Sequence, residues 1–492
     1  MSEKKSSNEI TRRGFMKGTG LAAVTGAGVL MGIGIKRVDA LPAPGAWDSA
    51  TDVIVVGGGM AGLCAAVSAA DAGAKVMLLE AFAMTGGNSS LSTAWFNAAN
   101  SPVQKKMGIA DSADSFYKDS MKLSDNRRDP KITRIMADES GGAIQWLIDH
   151  GVVFLDVVEP AMGSPEKRVI QADGYGAKVV KVLSELCRTK GVSIKTKARV
   201  LNVYSQLSKG VEHIAGVEAE IGGKTQHIGA RSVVLATGGF MNNKDLVMKF
   251  LPQWEKTLVS GTPTNVGDGL MIGLVEGADT VNIDRALVTP TLEVKTKTYL
   301  TSGALTGGAI LVNEKGARFT DELTGYTEVS LEMLKQKKVY EVMVEKCHPK
   351  VTTFIEKNIV KRADSIKDLA GMMEVDATVL EKTVGDFNAA TAGRMKDAFG
   401  RQIFREMLEP PLYFMQVNPV LLLTLGGLKI SEEAEVLNIR NDVVLQGLYA
   451  AGELVGGYID YGYRTGDSMM YCTVFGIIAG VNAAAVAEVP CE

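Results

Sequence analysis

A short apolar run, Asp52-Val53-Ile54-Val55-Val56, feeds directly into Gly57-Gly58-Gly59-Met60-Ala61-Gly62. A small-residue stretch from Leu63 to Ala72 follows, and a second apolar run, Val76-Met77-Leu78-Leu79, ends on Glu80. Few local patterns restrict a fold so tightly. The β-branched runs bounded by glycine read as buried strands, and the small residues between them as a helix able to lie close to a sheet. The Gly-x-Gly-x-x-Gly spacing permits a tight turn and lets backbone N–H groups at the helix N-terminus approach a pyrophosphate. Glu80 stands where a ribose hydroxyl is gripped. The pattern predicts a βαβ unit that holds a dinucleotide, with Gly57, Gly59, Ala61, Gly62 and Glu80 at the contact.

Further glycine turns recur far along the chain. Met84-Thr85-Gly86-Gly87-Asn88-Ser89-Ser90 follows the Glu80 strand. Ser232-Val233-Val234-Leu235 runs into Ala236-Thr237-Gly238-Gly239-Phe240, and Gly447-Leu448-Tyr449-Ala450-Ala451-Gly452 ends on Glu453. Widely separated strand-to-glycine turns of this kind are expected to converge on one extended cofactor. Between them, Ile132 to Ile148 has helical spacing of apolar residues, and Ile194 to Ser205 and Gly216 to Ile221 alternate as strands. Residues 285–405 change character, from Thr- and Val-rich to charged and helical over Lys335 to Asp397, and read as an inserted substrate domain. The expected organisation is a linker over 41–51, a dinucleotide domain over 52–284 and 406–492, and the insertion between its halves. No internal repeat is present.

The N-terminus reads as an address. Thr11-Arg12-Arg13-Gly14-Phe15-Met16-Lys17 precedes a Gly- and Ala-rich apolar stretch from Gly18 to Ile35, and Val38-Asp39-Ala40 has the small residues of a cleavage site. That order predicts a twin-arginine signal over 1–40. Export of a folded chain by that route suits a protein that loads its cofactor first, and it places the protein in the periplasm or at the outer face of the cytoplasmic membrane. No further 18-residue apolar span is expected, so the mature chain is read as soluble, touching a membrane only through its signal or its electron donor. The net charge of −3 gives no bulk attraction to nucleic acid. The five cysteines contain no Cys-x-x-Cys pair and the four histidines are scattered, so no metal, iron–sulfur or haem site is expected.

These turns together resemble the FAD enzymes of the fumarate reductase and 3-ketosteroid dehydrogenase family. Its marks continue through Gly308-Ala309-Ile310-Leu311-Val312-Asn313, Arg318-Phe319, Thr424-Leu425-Gly426-Gly427 and Ala450-Ala451-Gly452-Glu453. The resemblance covers nearly everything from Asp52 to Asn482. It implies an α/β fold in which a Rossmann-type FAD domain is split by an α+β capping domain, with the substrate at the flavin N5. It also implies noncovalent FAD, since no histidine falls in the shared motifs. The cofactor contacts it implies are the glycine-turn residues Gly57, Gly59, Ala61, Gly62 and Glu80, then Gly86, Gly87, Asn88 and Ser89, then Ala236, Thr237, Gly238 and Glu453, joined by Val200, Ser468 and Met469.

Departures from the family pattern bear on the substrate. The family's fumarate reductases grip two carboxylates with histidines and arginines and use an arginine as proton donor. Here a His-Pro-Thr-Leu segment reads Thr289-Pro290-Thr291-Leu292. A Thr-Glu-Ala-Val-Arg-Gly segment reads Thr301-Ser302-Gly303-Ala304-Leu305-Thr306, the catalytic arginine aligns with Tyr326, the second-carboxylate histidine with Leu423, and the last arginine with Tyr463. A dicarboxylate would lose charge-assisted hydrogen bonds worth roughly 1.5–3 kcal/mol each. Tyrosines suit other chemistry, because a phenol can donate a hydrogen bond to a carbonyl oxygen and can deliver a proton to the α-carbon. The expected catalytic pair is Tyr326 as proton donor and Tyr463 as carbonyl-oxygen donor. Thr301, Tyr299, Tyr458, Tyr461 and Trp95 are lesser candidates around the substrate, and Arg464, one position off, would rescue a single carboxylate after a one-residue shift.

The reading that follows is a reductase of a C=C bond conjugated to a carbonyl, on an enone, steroid-like or aryl-acrylate substrate. The reverse reaction of a ketosteroid-type dehydrogenase stays open, as does a fumarate- or urocanate-type reductase using Arg464, and so does an electron-transfer flavoprotein without turnover. With no second redox motif, electrons are expected from a separate cytochrome, flavoprotein or quinol-linked membrane protein.

Overall fold

The computed structural model describes residues 41–160, 166–208, 210–298, 303–348, 350–459 and 462–487. The signal over 1–40 and the candidates Tyr299, Thr301 and Tyr461 lie outside the described residues. The chain divides into two units: residues up to Pro252 with Gly261–Arg285 and Thr424 onward, and a second formed by Gln253–Ser260 with Ala286–Leu423.

The first unit is organised by a parallel sheet of β1 (Val53–Val56), β2 (Val76–Glu80), β3 (Ser193–Thr196), β4 (Ser232–Leu235) and β5 (Leu448–Ala450), in the order β5–β4–β1–β2–β3. Val55 lies between Leu78 on one side and Val234 on the other, and Val234 pairs with Tyr449. The apolar runs are continuous because both faces of β1, β2 and β4 are covered. Helix α1 (Met60–Asp71) is buried over its first ten residues. It packs on the C-terminal helix Asp467–Ala487, where a Cβ added at Gly476 would stand 2.6 Å from the Ala61 carbonyl oxygen and one at Gly480 2.3 Å from that of Ala65. The sequence thus brings two backbones together with small residues.

That C-terminal helix corrects one expectation. Asp467–Val486 has a mean hydropathy of 1.8 and is long and apolar enough to cross a membrane, yet 61% of its most apolar window is buried inside the protein. Its apolarity is what a helix needs when it is packed against α1.

The Pro/Gly stretch over 41–51 is more than a linker. Leu41–Pro42 pairs with Ala198–Ser208 and Ser49–Ala50 with Lys224–Gly229, both in parallel, so the segment supplies the two edges of a mixed sheet whose antiparallel centre is Val211–Ile221. Gly216 and Gly229 leave room there for the Trp47 ring, which a Cβ at either position would meet at 2.8 and 3.1 Å.

In the second unit, the long strand Leu412–Thr424 pairs with Leu258–Val259, Val339–Met343, Ala286–Glu293 and Lys361–Ala363. This is why the unit extends to Leu423 and not to 405. Two apolar clusters flank the sheet, one including Leu311, Met415 and the helix Tyr326–Leu334 through Val329 and Met333.

Candidate active site

All five strands of the parallel sheet point the same way, so the turns after β1, β4 and β5 and the acid ending β2 open on one edge. The chain leaves β1 toward β2 on one side and returns through β4 on the other, and the crevice at such a reversal is where α/β sheets bind ligands. The ladder continues into the turns: Gly57 N–H donates to Leu79 O, Ala236 N–H to Val56 O and Ala451 N–H to Leu235 O.

The three fingerprint glycines are held for different reasons. Gly57 has φ +105, and a Cβ there would lie 2.3 Å from Ala236 O; one at Gly62 would lie 1.9 Å from Gly57 O. Both are dictated by the protein's own packing. Gly59 has φ −75 and ψ −175, which any residue adopts, and no described atom of the protein comes within 3.8 Å of its missing Cβ. A Cβ at Gly59 would instead fill the cradle in front of the α1 N-terminus, where a pyrophosphate needs close backbone approach. The cradle therefore fits the dinucleotide expected from the sequence.

Glu80 accepts from Gly58 N–H (2.7 Å) and Phe82 N–H (2.7 Å). Burial pushes its carboxyl up, and these two donors work against that shift. Each oxygen keeps a lone pair for a hydroxyl. Gly86 N–H donates to Gly58 O, and Ser89 Oγ accepts from Met60 N–H, docking the second glycine loop on the first turn of α1. Asn88 donates to Glu453 (3.1 Å) and accepts from Thr262 N–H (2.9 Å). Glu453 also accepts from Asn265 Nδ2 and from Thr424 N–H, both at 3.1 Å. Burial raises its carboxyl to about 7 despite these donors. Thr237 Oγ1 accepts from Gly269 N–H.

A family model described as an FAD binding domain matches residues 52–468. The chain belongs to this family. It is 32% identical over 442 residues to the fumarate reductase (cytochrome) of Shewanella frigidimarina, covering 88% of this chain and 77% of that one. It is 29% identical over 477 residues to the urocanate reductase of Eggerthella lenta, covering 92% of this chain and 78% of the relative. The open conformation of a flavocytochrome c3 fumarate reductase superposes with a TM-score of 0.79 at 30% identity, over 90% of this chain and 80% of that structure. The protein is an FAD-dependent oxidoreductase of a family that includes reductases of C=C bonds, and FAD is its cofactor.

Within this flavoprotein the remaining sequence candidates separate. Ala61 and Met469 are buried; Met469 Sδ accepts from Ser92 Oγ (3.6 Å) and Ala61 faces Gly452. Val200 is buried on Ala198–Ser208 opposite Ala219. Ser468 has a buried hydroxyl oxygen with no partner among the described residues. Trp95 is half-buried on Trp95–Asn97, paired with Gln171. Tyr326 opens the helix Tyr326–Leu334 in the second unit and is half-buried, as is Tyr463 in the first.

Arg464 is fully buried, with Nη2 on Ser120 Oγ (2.6 Å), Nε on Asp467 Oδ2 (3.5 Å) and its guanidinium over the Phe116 ring. Asp467 is equally buried and accepts from Asn97 Nδ2 (2.8 Å), Arg128 Nη2 (3.2 Å) and Tyr458 Oη (3.3 Å). Burial would raise the Asp467 carboxyl, but Arg464 and Arg128 hold it below the usual carboxylate range. The Tyr458 phenol is pushed up to about 12 by burial and by Asp467.

Sequence reasoning singled out Thr424 only as part of a family motif, and missed Thr262 and Asn265 near Glu453 and Arg128, Asn97 and Asp467 beneath the C-terminal loop. Arg128 lies 339 residues from Asp467. The one available signal was the Asp-Pro that starts Pro130–Asp149, which fixes where Arg128 sits.

Proposed function

We propose that this protein is an exported reductase of a C=C bond conjugated to a carbonyl, acting on a substrate with an apolar or aromatic body. When bound, FAD supplies a hydride equivalent to such a bond. The chain supplies the proton and the polarisation. Tyr326 gives its phenolic proton to the α-carbon, and Tyr463 donates a hydrogen bond to the carbonyl oxygen, where negative charge develops. Reducing equivalents come from a separate cytochrome, flavoprotein or quinol-linked membrane protein, and the Arg12-Arg13 segment directs export.

The observation that carries the substrate class is the state of Arg464. It is the arginine nearest the family's carboxylate-binding position in the C-terminal loop, and its guanidinium is turned onto Ser120, Asp467 and Phe116 with no exposed surface. The other aligned positions are uncharged: Thr289, Leu305, Tyr326, Leu423 and Tyr463. This favours a substrate gripped by phenols over a dicarboxylate gripped by cations.

The test is anaerobic. The holoprotein is reduced with a viologen dye, and dye reoxidation is followed with fumarate, urocanate, cinnamates and enone steroids. Oxidation by an enone or aryl acrylate, with at least about 10²-fold loss in Tyr326→Phe, is expected. Rapid oxidation by fumarate alone would overturn the substrate class, and full activity of Tyr326→Phe would overturn the proton donor.

A further inference from the structure

The stretch between Gly462 and Asp467 holds Tyr463, and its two ends are tied by one side chain from a distant part of the chain. Arg128 sits in the connection between the helices Ala113–Leu123 and Pro130–Asp149 and is 1% exposed. Its Nη2 donates to Gly462 O (3.0 Å) and to Asp467 Oδ2 (3.2 Å). Its guanidinium lies 4.6 Å from the centre of the Tyr458 ring, which stacks on Tyr471. The next residue, Asp129, donates its N–H to Gly457 O (2.8 Å).

The same stretch is bracketed by two left-handed glycines. Gly462 has φ +86 and Gly466 φ +91, and a Cβ at either would strike Leu123 O (2.8 Å) or Asn97 N (2.6 Å). The stretch is thus pressed against Leu123 at one end and Asn97 at the other, within its own unit, while Tyr463 stays half-buried between them. One guanidinium nitrogen serves the carbonyl and the carboxylate together while the rigid plane of the group lies on an aromatic face, a placement that the shorter, flexible lysine stem does not reproduce.

We propose that Arg128 is a positioning residue that sets the Tyr463 phenol for the reaction by tying Gly462 to Asp467. The role rests on the reading of Tyr463 given above. In this role Arg128 acts through the loop, by its bonds to Gly462 O and Asp467.

A double-mutant cycle on the holoprotein separates the two ideas, using Tyr463→Phe, Arg128→Lys and the double variant, with turnover, FAD absorbance and melting temperature recorded for each. Arg128→Lys is expected to lower kcat at least about tenfold with FAD still bound, because a displaced group loses its alignment. In the Tyr463→Phe background the same change should cost less than about twofold, since the residue it positions is already inert. Effects of Arg128→Lys that multiply with those of Tyr463→Phe would overturn the positioning role while leaving Tyr463 intact. A fully active Tyr463→Phe would instead overturn the reading beneath it. If Arg128→Lys does not accumulate as holoprotein, Arg128→Gln, which keeps an amide donor without a buried ammonium, enters the same cycle, and the same two outcomes decide.

Discussion

The first unit of this flavoprotein buries Arg128, Arg168 and Arg464, and the second buries Arg401 beside the nearly buried Arg318. Arg168 is matched by Asp111 and Asp119, but the Arg128–Arg464 pair and the Arg318–Arg401 pair are balanced differently. In the second unit, Arg318 donates from Nε and Nη2 to Glu322 and from Nη1 to Asp397, while Arg401 uses Nη1 for Glu322 and Ala309 O, Nη2 for Leu305 O and Nε for Ile403 O. Two guanidiniums meet two carboxylates and every nitrogen has an acceptor. In the first unit, Arg128 and Arg464 share Asp467, and Arg128 Nε and Nη1 and Arg464 Nη1 have no acceptor among the described residues. A balanced cluster needs nothing but itself and serves to hold the loop that leads into Tyr326–Leu334. The other cluster, beside the stretch that holds Tyr463, sets two guanidiniums against one carboxylate among the described residues.

The largest expected effect breaks the unbalanced pair. Asp467→Asn leaves two buried guanidiniums without a counter-charge among the described residues and should cost roughly 3–5 kcal/mol in urea unfolding of the holoprotein. Glu322→Gln should be milder because the other cluster has spare acceptors. Arg318 keeps Asp397 and Arg401 keeps three backbone carbonyls, so the loss should be about 1.5–3 kcal/mol, that of a charge-assisted bond. If Glu322→Gln proves the more damaging, the contrast between the clusters fails.

Glu341 puts the self-sufficiency of the second unit to a harder test. It lies on Val339–Met343 between Leu311 and Met415, fully buried, with neither oxygen partnered among the described residues. Burial pushes its carboxyl from 4.5 up to about 8. Across that window the folded chain holds a proton that the unfolded chain has released, so stability is greatest at low pH and falls as pH rises through the folded value. Glu341→Gln, which does not titrate, should gain on the parent by at least about 1 kcal/mol between about pH 6 and pH 9. Parallel stability profiles for the two proteins would mean that a partner reaches Glu341 in solution.

The same contrast explains what could be read in advance. The fingerprint glycines, Glu80, Asn88 and Glu453 were legible because each belongs to a short strand-to-turn pattern whose geometry is local. Asn265 and Arg128 were not, because their partners lie 188 and 339 residues away and neither residue type is unusual where it stands. The division of the chain was half legible. The change in composition marked the start near Ala286, but Leu412–Thr424 reads like any buried strand, and only its pairing assigns it to the second unit. The C-terminal helix was overlooked for a related reason: its glycines and alanines dilute the apolar signal, and they are the residues that let it approach α1.

The smallest expected effect carries the argument about self-sufficiency into the cofactor cradle. Gly62 is fixed by the protein, so Gly62→Ala should disturb the fold whether or not FAD is present: its Cβ would have to displace Gly57 O from 1.9 Å. Gly59 is not. Its backbone is ordinary and the space before it is clear of described protein atoms to 3.8 Å, so Gly59→Ala should leave the melting of the FAD-stripped chain unchanged within about 0.5 kcal/mol. The added methyl should act only on what binds there, weakening FAD retention by about tenfold, as a lost close approach of backbone to pyrophosphate requires. Equal destabilisation of the stripped protein by both substitutions would mean that Gly59, too, answers to the fold, and that the cradle is shaped by packing alone.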